Sequence, residues 1–315
     1  MILRHKVDEL MFLQIFRNRI LLSNKLWRKI KDIENAIRAN YQRKEPHIVS
    51  AIVNEWNKAP IIGLNGFQVN GVHYNLWLEF SHKMTHRKLL KVGIKLDEDR
   101  WLDNIRYKTE FGDIALVVEY YLEQTLLSSR LSLLQTKKET KQNGTTIALH
   151  QLYLMQFWPA VRFNGREFTF CNIFSEDFSF YHFILSKSKP ASCSSTICSS
   201  TLIYTKLGLN KSQLIAALRS WLKNRKSGSR TRALTRNVRG LLPGNVDVVN
   251  VPPPPLNYWN MTPKPFCCFL MDAACLFVGT PNKEVRALAE FVVPNVNILY
   301  LRVRASKERL SLIHI

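Results

Sequence analysis

The residues best equipped for chemistry are scattered along this chain, and their spacing decides what each can do. His82 and His86 stand four apart, which on a helix puts both imidazoles on one face within reach of one metal ion. No Glu follows His82, and Lys83, Arg87 and Lys88 surround the pair with charge that repels a cation, so a solvated surface pair is the expectation. Asp97, Glu98 and Asp99 bring three carboxylates together. Capping accounts for them, because acids in a first helical turn suit the positive end of the helix dipole. Glu110 and Asp113 read as ordinary residues at helix ends. All six cysteines, at 171, 193, 198, 267, 268 and 275, fall in the second half, and none forms a C-x-x-C pair. Cys193 and Cys198 lack the second pair that a zinc site draws from elsewhere in the chain. There is no nucleophile elbow, and Gly63, Gly66 and Gly71 are too widely separated to cradle a phosphate. These patterns predict a non-enzymatic protein with no catalytic residue, no cofactor and no metal.

Charge is the stronger signal. The 315 residues carry 45 Lys and Arg against 24 Asp and Glu, a formal charge of +21 that favours a polyanionic partner. No acid occurs between Asp177 and Asp247, while Lys206, Lys211, Arg219, Lys223, Arg225, Lys226, Arg230, Arg232, Arg236 and Arg239 lie within that gap. Asn210 with Gln213 reads as a reciprocal cap opening a basic amphipathic helix near 210–226, with Leu214, Leu218, Trp221 and Leu222 on one side. RNA or DNA binding through the 206–239 region would use these cations on phosphate and Trp221 for stacking. The same helix could instead bind calmodulin or a membrane surface, or pack its apolar face into a core.

The elements around these residues read as helices in the first half. Leu10, Leu13 and Phe16 recur at helical spacing, and Ser23 is placed to cap a helix bearing Leu26, Trp27, Ile30, Ile33 and Ile37. A third helix fits Ile48 to Trp56, ending before Pro60, and an amphipathic segment follows from Asn75 to Met84. From Thr136 the text turns polar, marking a 136–149 linker between a helical domain (1–135) and a basic, low-order region (150–315). In that second region Ser192–Thr201 offers little to bury, and Pro252–Pro255 should hold a polyproline II shape.

Charges at Arg4 and Lys6 stand where a signal peptide needs its apolar stretch, and Phe266–Val278 is too short to span a bilayer. The expectation is an intracellular protein without a transmembrane segment, cytoplasmic rather than nuclear.

The segment Glu110-Phe111-Gly112-Asp113-Ile114-Ala115-Leu116-Val117-Val118-Glu119-Tyr120-Tyr121-Leu122-Glu123 resembles the helix–turn–helix centre of an ankyrin repeat. Gly112 would close the first helix, Asp113 open the second, and Ile114, Val117 and Leu122 pack on neighbouring repeats. The stretch Phe12–Leu21 is similar to a short helical module that precedes degenerate ankyrin repeats. This resemblance implies a mainly α fold and a non-enzymatic, protein–protein interaction role with an unidentified protein partner. The terminal Arg309–Ile315 resembles translated sequencing-adapter nucleotides, in keeping with a C-terminal half that is largely irregular.

Overall fold

The computed structural model describes residues 2–83, 91–98, 100–102, 109–139, 145–163, 165–169, 178–184, 195–226, 235–237, 264–281 and 296–308. In chain order the elements are helices α1 (Ile2–Leu21), α2 (Asn24–Ala39) and α3 (Glu45–Asn57), then strands β1 (Ile61–Val69), β2 (Val72–Lys83), β3 (Lys91–Lys95), β4 (Trp101–Leu102), β5 (Thr109–Glu110), β6 (Ile114–Leu122), β7 (Thr125–Lys138) and β8 (Thr146–Ala148). Helix α4 (Leu149–Phe157) leads to β9 (Val161–Phe163), β10 (Arg166–Phe168), β11 (Ser179–Ile184) and β12 (Ser195–Ser199). Helices α5 (Ser200–Lys206) and α6 (Lys211–Lys226) precede β13 (Thr235–Asn237), β14 (Lys264–Pro265), helix α7 (Phe266–Ala274), β15 (Thr280–Pro281) and β16 (Asn297–Lys307).

A mixed sheet organises the molecule, in the order β1-β2-β16-β6-β7-β11-β12-β14, with β15 also on β7. The pairs β16–β6 and β11–β7 are parallel, and the other pairs along this order are antiparallel. Side chains alternate between its two faces, so the central strands β16, β6, β7 and β11 feed two cores. On β16, Leu299, Leu301, Val303 and Ala305 enter the first core, which is built with α1, α2, α3 and α7. Ile298, with Val296 just before the strand, enters the second, which is built with α4, α5, α6 and a smaller sheet of β10-β9-β3-β4.

The fold is therefore mixed α/β, and the mainly α, ankyrin-like expectation is overturned. The segment that resembles a repeat is strand: Ile114–Leu122 lies between β16 and β7. A central strand is buried on both faces and so reads as an unbroken apolar run, which periodicity alone does not separate from a buried helix. Asn75–Lys83, expected as a helix, belongs to β2, where Tyr74, Leu76, Leu78 and Phe80 are buried at a period of two. Asp97 follows β3 and caps no helix. The described residues of the C-terminal half are not irregular, since β16 pairs with β2 on one side and β6 on the other. Strands from both sides of 136–149 thus share one sheet, and Thr136–Lys138 are the end of β7.

The first three elements are helical for local reasons. Ser23 Oγ accepts from Leu26 N at 3.2 Å, and Leu26, Ile30, Ile33 and Ile37 of α2 are buried. On α1 the buried positions are Phe12, Phe16 and Ile20 at a spacing of four, while Leu10 stands 67% exposed.

Candidate active site

The nucleic-acid residues anticipated from sequence are only partly brought together. Asn210 Oδ1 accepts from Gln213 N at 2.8 Å and Gln213 Oε1 accepts from Asn210 N at 2.9 Å, so the reciprocal cap forms and α6 follows it. The apolar side of α6 is packed: Leu214 and Leu218 are fully buried, and Trp221 is buried with its ring stacked on His150 at 5.8 Å. Arg219 is ion-paired with Asp97, Lys211 Nζ lies 5.0 Å above the Phe157 ring, and Lys223 is exposed. The side chains of Arg225, Lys226 and Arg236 lie outside the described residues, as do Arg230, Arg232 and Arg239 altogether. Trp221 is thus a core residue whose ring already has a stacking partner. His86, Asp99, Cys171, Cys193 and Pro252–Pro255 also lie outside the described residues. Among the described residues no helix is long and apolar enough to cross a membrane.

A different cluster forms where β6 begins and β7 ends. Period two puts Asp113, Ala115 and Val117 on one face of β6, and Leu131, Leu133, Gln135 and Lys137 on the matching face of β7. Asp113 N donates to Leu134 O at 2.9 Å, and Asp113 Oδ2 accepts from Thr136 N at 2.7 Å and from Gln135 Nε2 at 2.6 Å. From α4, Gln151 Nε2 donates to Gln135 Oε1 at 2.6 Å, extending a chain of side-chain contacts through the sheet face. Gly112 makes the approach possible, because a Cβ there would meet Leu133 Cδ1 at 2.8 Å and Leu133 is fully buried.

Glu45 completes the cluster from another layer. It occupies the first turn of α3, where the helix dipole favours a carboxylate, and its Oε1 lies 3.8 Å from Lys137 Nζ. Glu45 and Lys137 are partly solvent-facing, whereas Asp113 and Gln135 are buried.

The electrostatics are those of a carboxylate held against its preference. Burial pushes Asp113 up to about 7, with Lys137 opposing the rise and Glu45 and Glu110 adding to it. Its two donors are neutral N–H groups, and the nearby ammonium is shared with Glu45. Burial also raises Glu45, again against Lys137. Strong displacement of an acid inside a small set of charged and amide groups makes the cluster a candidate functional site.

Among the described residues no three His, Cys, Asp or Glu side chains gather as a metal site. A magnesium-type cation needs fewer, since it is commonly held by one or two carboxylates plus waters and substrate phosphate. Asp113 and Glu45 are the two carboxylates of this cluster, and Gln135 Oε1 is held by Gln151 Nε2. A second, partly buried acid, Asp272 of α7, is also raised to about 7 by burial, with Lys264 opposing the rise. Among the described residues His182 is fully buried with neither ring nitrogen hydrogen-bonded, and burial lowers it to about 3. Cys198 and Cys275 are buried thiols raised by desolvation.

Sequence reasoning placed Asp113 at a helix end and began a linker at Thr136, while Glu45 drew no notice. The usable signal was an apolar run on β7 ending in Gln135-Thr136-Lys137, two polar side chains at strand period, with Gly112-Asp113 opening the paired strand. No family model matches the chain, and no curated protein or solved structure matches it either.

Proposed function

We propose that this protein is a divalent-cation-dependent hydrolase of phosphodiester bonds in nucleic acid, acting through Glu45, Asp113, Gln135 and Lys137. The observation that carries the reading is Asp113: a buried carboxyl raised to about 7, held by neutral donors beside a Glu–Lys pair that faces solvent. A bound hard cation would supply Lewis acidity and a more acidic water. Asp113 and Glu45 would hold that cation, and binding would displace the Asp113 proton. Lys137 would stabilise the negative charge that develops on phosphoryl oxygens when water attacks phosphorus and the ester oxygen leaves. Gln151, through Gln135, is a positioning residue that keeps the amide turned toward the carboxylate. The +21 charge supports a polyanionic substrate by long-range attraction. This departs from the non-enzymatic expectation, and it retains the nucleic-acid partner while moving the contact away from Trp221.

The test is cleavage of labelled single-stranded and duplex DNA and RNA by purified full-length protein with magnesium or manganese. Asp113→Asn and Lys137→Met should each reduce the rate by about a hundredfold or more, and chelation should abolish it. Cleavage equal in parent and Asp113→Asn protein, or none with any substrate and cation, would refute the proposal.

A further inference from the structure

Two free cysteines stand next to each other where α7 begins. Cys267 and Cys268 are the second and third residues of this nine-residue helix, whose first turn carries no acid and whose Pro265 cap makes no side-chain hydrogen bond. Cys267 is buried, whereas Cys268 is partly exposed, and so is Asp272 one turn further along the same side. Cys198 and Cys275 are buried, so among the described residues Cys268 is the thiol that solvent reaches.

Side chains from three elements act on this pair. Buried Lys264 of β14, buried Glu34 of α2 and Asp272 of α7 all influence Cys268 electrostatically, and Glu34 Oε1 accepts from Ser195 Oγ of β12 at 3.3 Å. The Cys267 S–H donates to Cys268 and holds that thiol below its usual range, with burial and Asp272 opposing, Lys264 assisting and Glu34 opposing. Thiolate character, contact with solvent and a place in a first helical turn are the conditions of a nucleophilic cysteine.

We infer that Cys267 and Cys268 form a redox-active dithiol that reduces hydroperoxides, Cys268 attacking the peroxide and Cys267 closing the product to a vicinal disulfide. No residue of the Asp113 cluster takes part, so the inference is independent of the hydrolase reading. In the first step Cys268 Sγ attacks the distal oxygen of ROOH, the O–O bond breaks, and RO⁻ leaves and takes a proton from water. Cys268 is then a sulfenic acid. In the second step Cys267 Sγ attacks Cys268 Sγ and the S–O bond breaks, water leaving as the sulfenic hydroxyl joined to the Cys267 proton. Two thiols and ROOH become one disulfide, ROH and water, the thiols giving up two electrons.

The fold makes this bond felt elsewhere. Adjacent Cα atoms are about 3.8 Å apart, short of the roughly 4.4–6.8 Å that disulfides span. Closing the bond therefore requires the first turn of α7 to leave helical geometry. That turn is tied to the sheet edge: the Phe266 ring stacks 4.2 Å from His182 of β11, and Lys264–Pro265 pairs with β12. A strained disulfide is also readily reduced again, which lets the pair cycle.

The test mixes reduced full-length protein with equimolar hydrogen peroxide at neutral pH. Two thiols should be lost per peroxide consumed, peptide mapping should place the disulfide between Cys267 and Cys268, and dithiothreitol should restore both. Deuterium uptake across 264–274 should rise on oxidation. Cys268→Ser should slow peroxide consumption about tenfold or more. Cys267→Ser should consume peroxide but stop at a Cys268 sulfenic acid, trapped by dimedone. Equal consumption by Cys268→Ser and parent, a disulfide joining other cysteines, peroxide consumed with no disulfide formed, or unchanged deuterium uptake overturns the inference. Circular dichroism melts check folding, and peptide mapping of the parent carries the test alone if a serine variant does not fold.

Discussion

Replacing Asp113 by Asn should make the protein more stable above neutral pH while removing its activity. The carboxyl is raised from 3.8 to about 7 by burial. At about 1.4 kcal/mol per unit, ionising it in the folded protein costs roughly 4 kcal/mol. The sign follows from linkage. A folded pKa above the unfolded one means the folded state holds the proton more tightly. The associated stability is complete below about pH 4 and is lost as pH rises through about 7. Asparagine carries no such proton, so the variant-minus-parent difference should shift in the variant's favour by roughly 4 kcal/mol between pH 4 and pH 8. Groups such as His182 and Asp272 titrate in both proteins and cancel in that difference. Both hydrogen bonds converge on one oxygen, Oδ2, so Asn keeps them with its amide oxygen in that place. The assay is urea unfolding of both proteins by tryptophan fluorescence and circular dichroism from pH 4.5 to 8.5. A difference that stays constant across that range would refute the reasoning. Magnesium or manganese provides a second arm: at a hundred times its dissociation constant, a cation bound only by folded protein adds about 2.7 kcal/mol. That gain should appear at pH 8 in the parent and vanish in Asp113→Asn.

Trp221→Ala should destabilise the chain by about 3–5 kcal/mol, because its ring is packed against His150 in the second core, and should leave oligonucleotide affinity within twofold of the parent; affinity loss at unchanged stability would restore a stacking role. His182 is depressed from 6.5 to about 3 by burial, so the stability it supports is present above pH 6.5 and lost as pH falls toward 3. His182→Leu should therefore shift the acid-unfolding midpoint to lower pH, and a midpoint that rises or stays fixed would count against the neutral, unpaired ring.

Local rules made part of the molecule legible. The Ser23 cap, the Leu26–Ile37 stripe and the Asn210–Gln213 reciprocal cap are contacts within a few residues, so the chain determines them without reference to the rest of the fold. Composition likewise determined the net charge. Strand pairing is different. Whether Ile114–Leu122 becomes helix or strand depends on β16, which arrives about 180 residues later and lies parallel to it. Both faces of that strand are then buried, which erases the alternation that would have announced it.

The candidate site was hidden for the same reason. Glu45, Asp113, Gln135 and Lys137 come from a helix start, a strand start and a strand end, separated by up to 92 residues. No spacing rule joins them. Only the β6–β7 register sets Asp113 beside Gln135, and only the packing of α3 against the sheet brings Glu45 to Lys137. Burial then does what sequence cannot express: it raises one ordinary aspartate to a pKa near neutrality, because the charge of a carboxylate is costly where neighbouring side chains have replaced water.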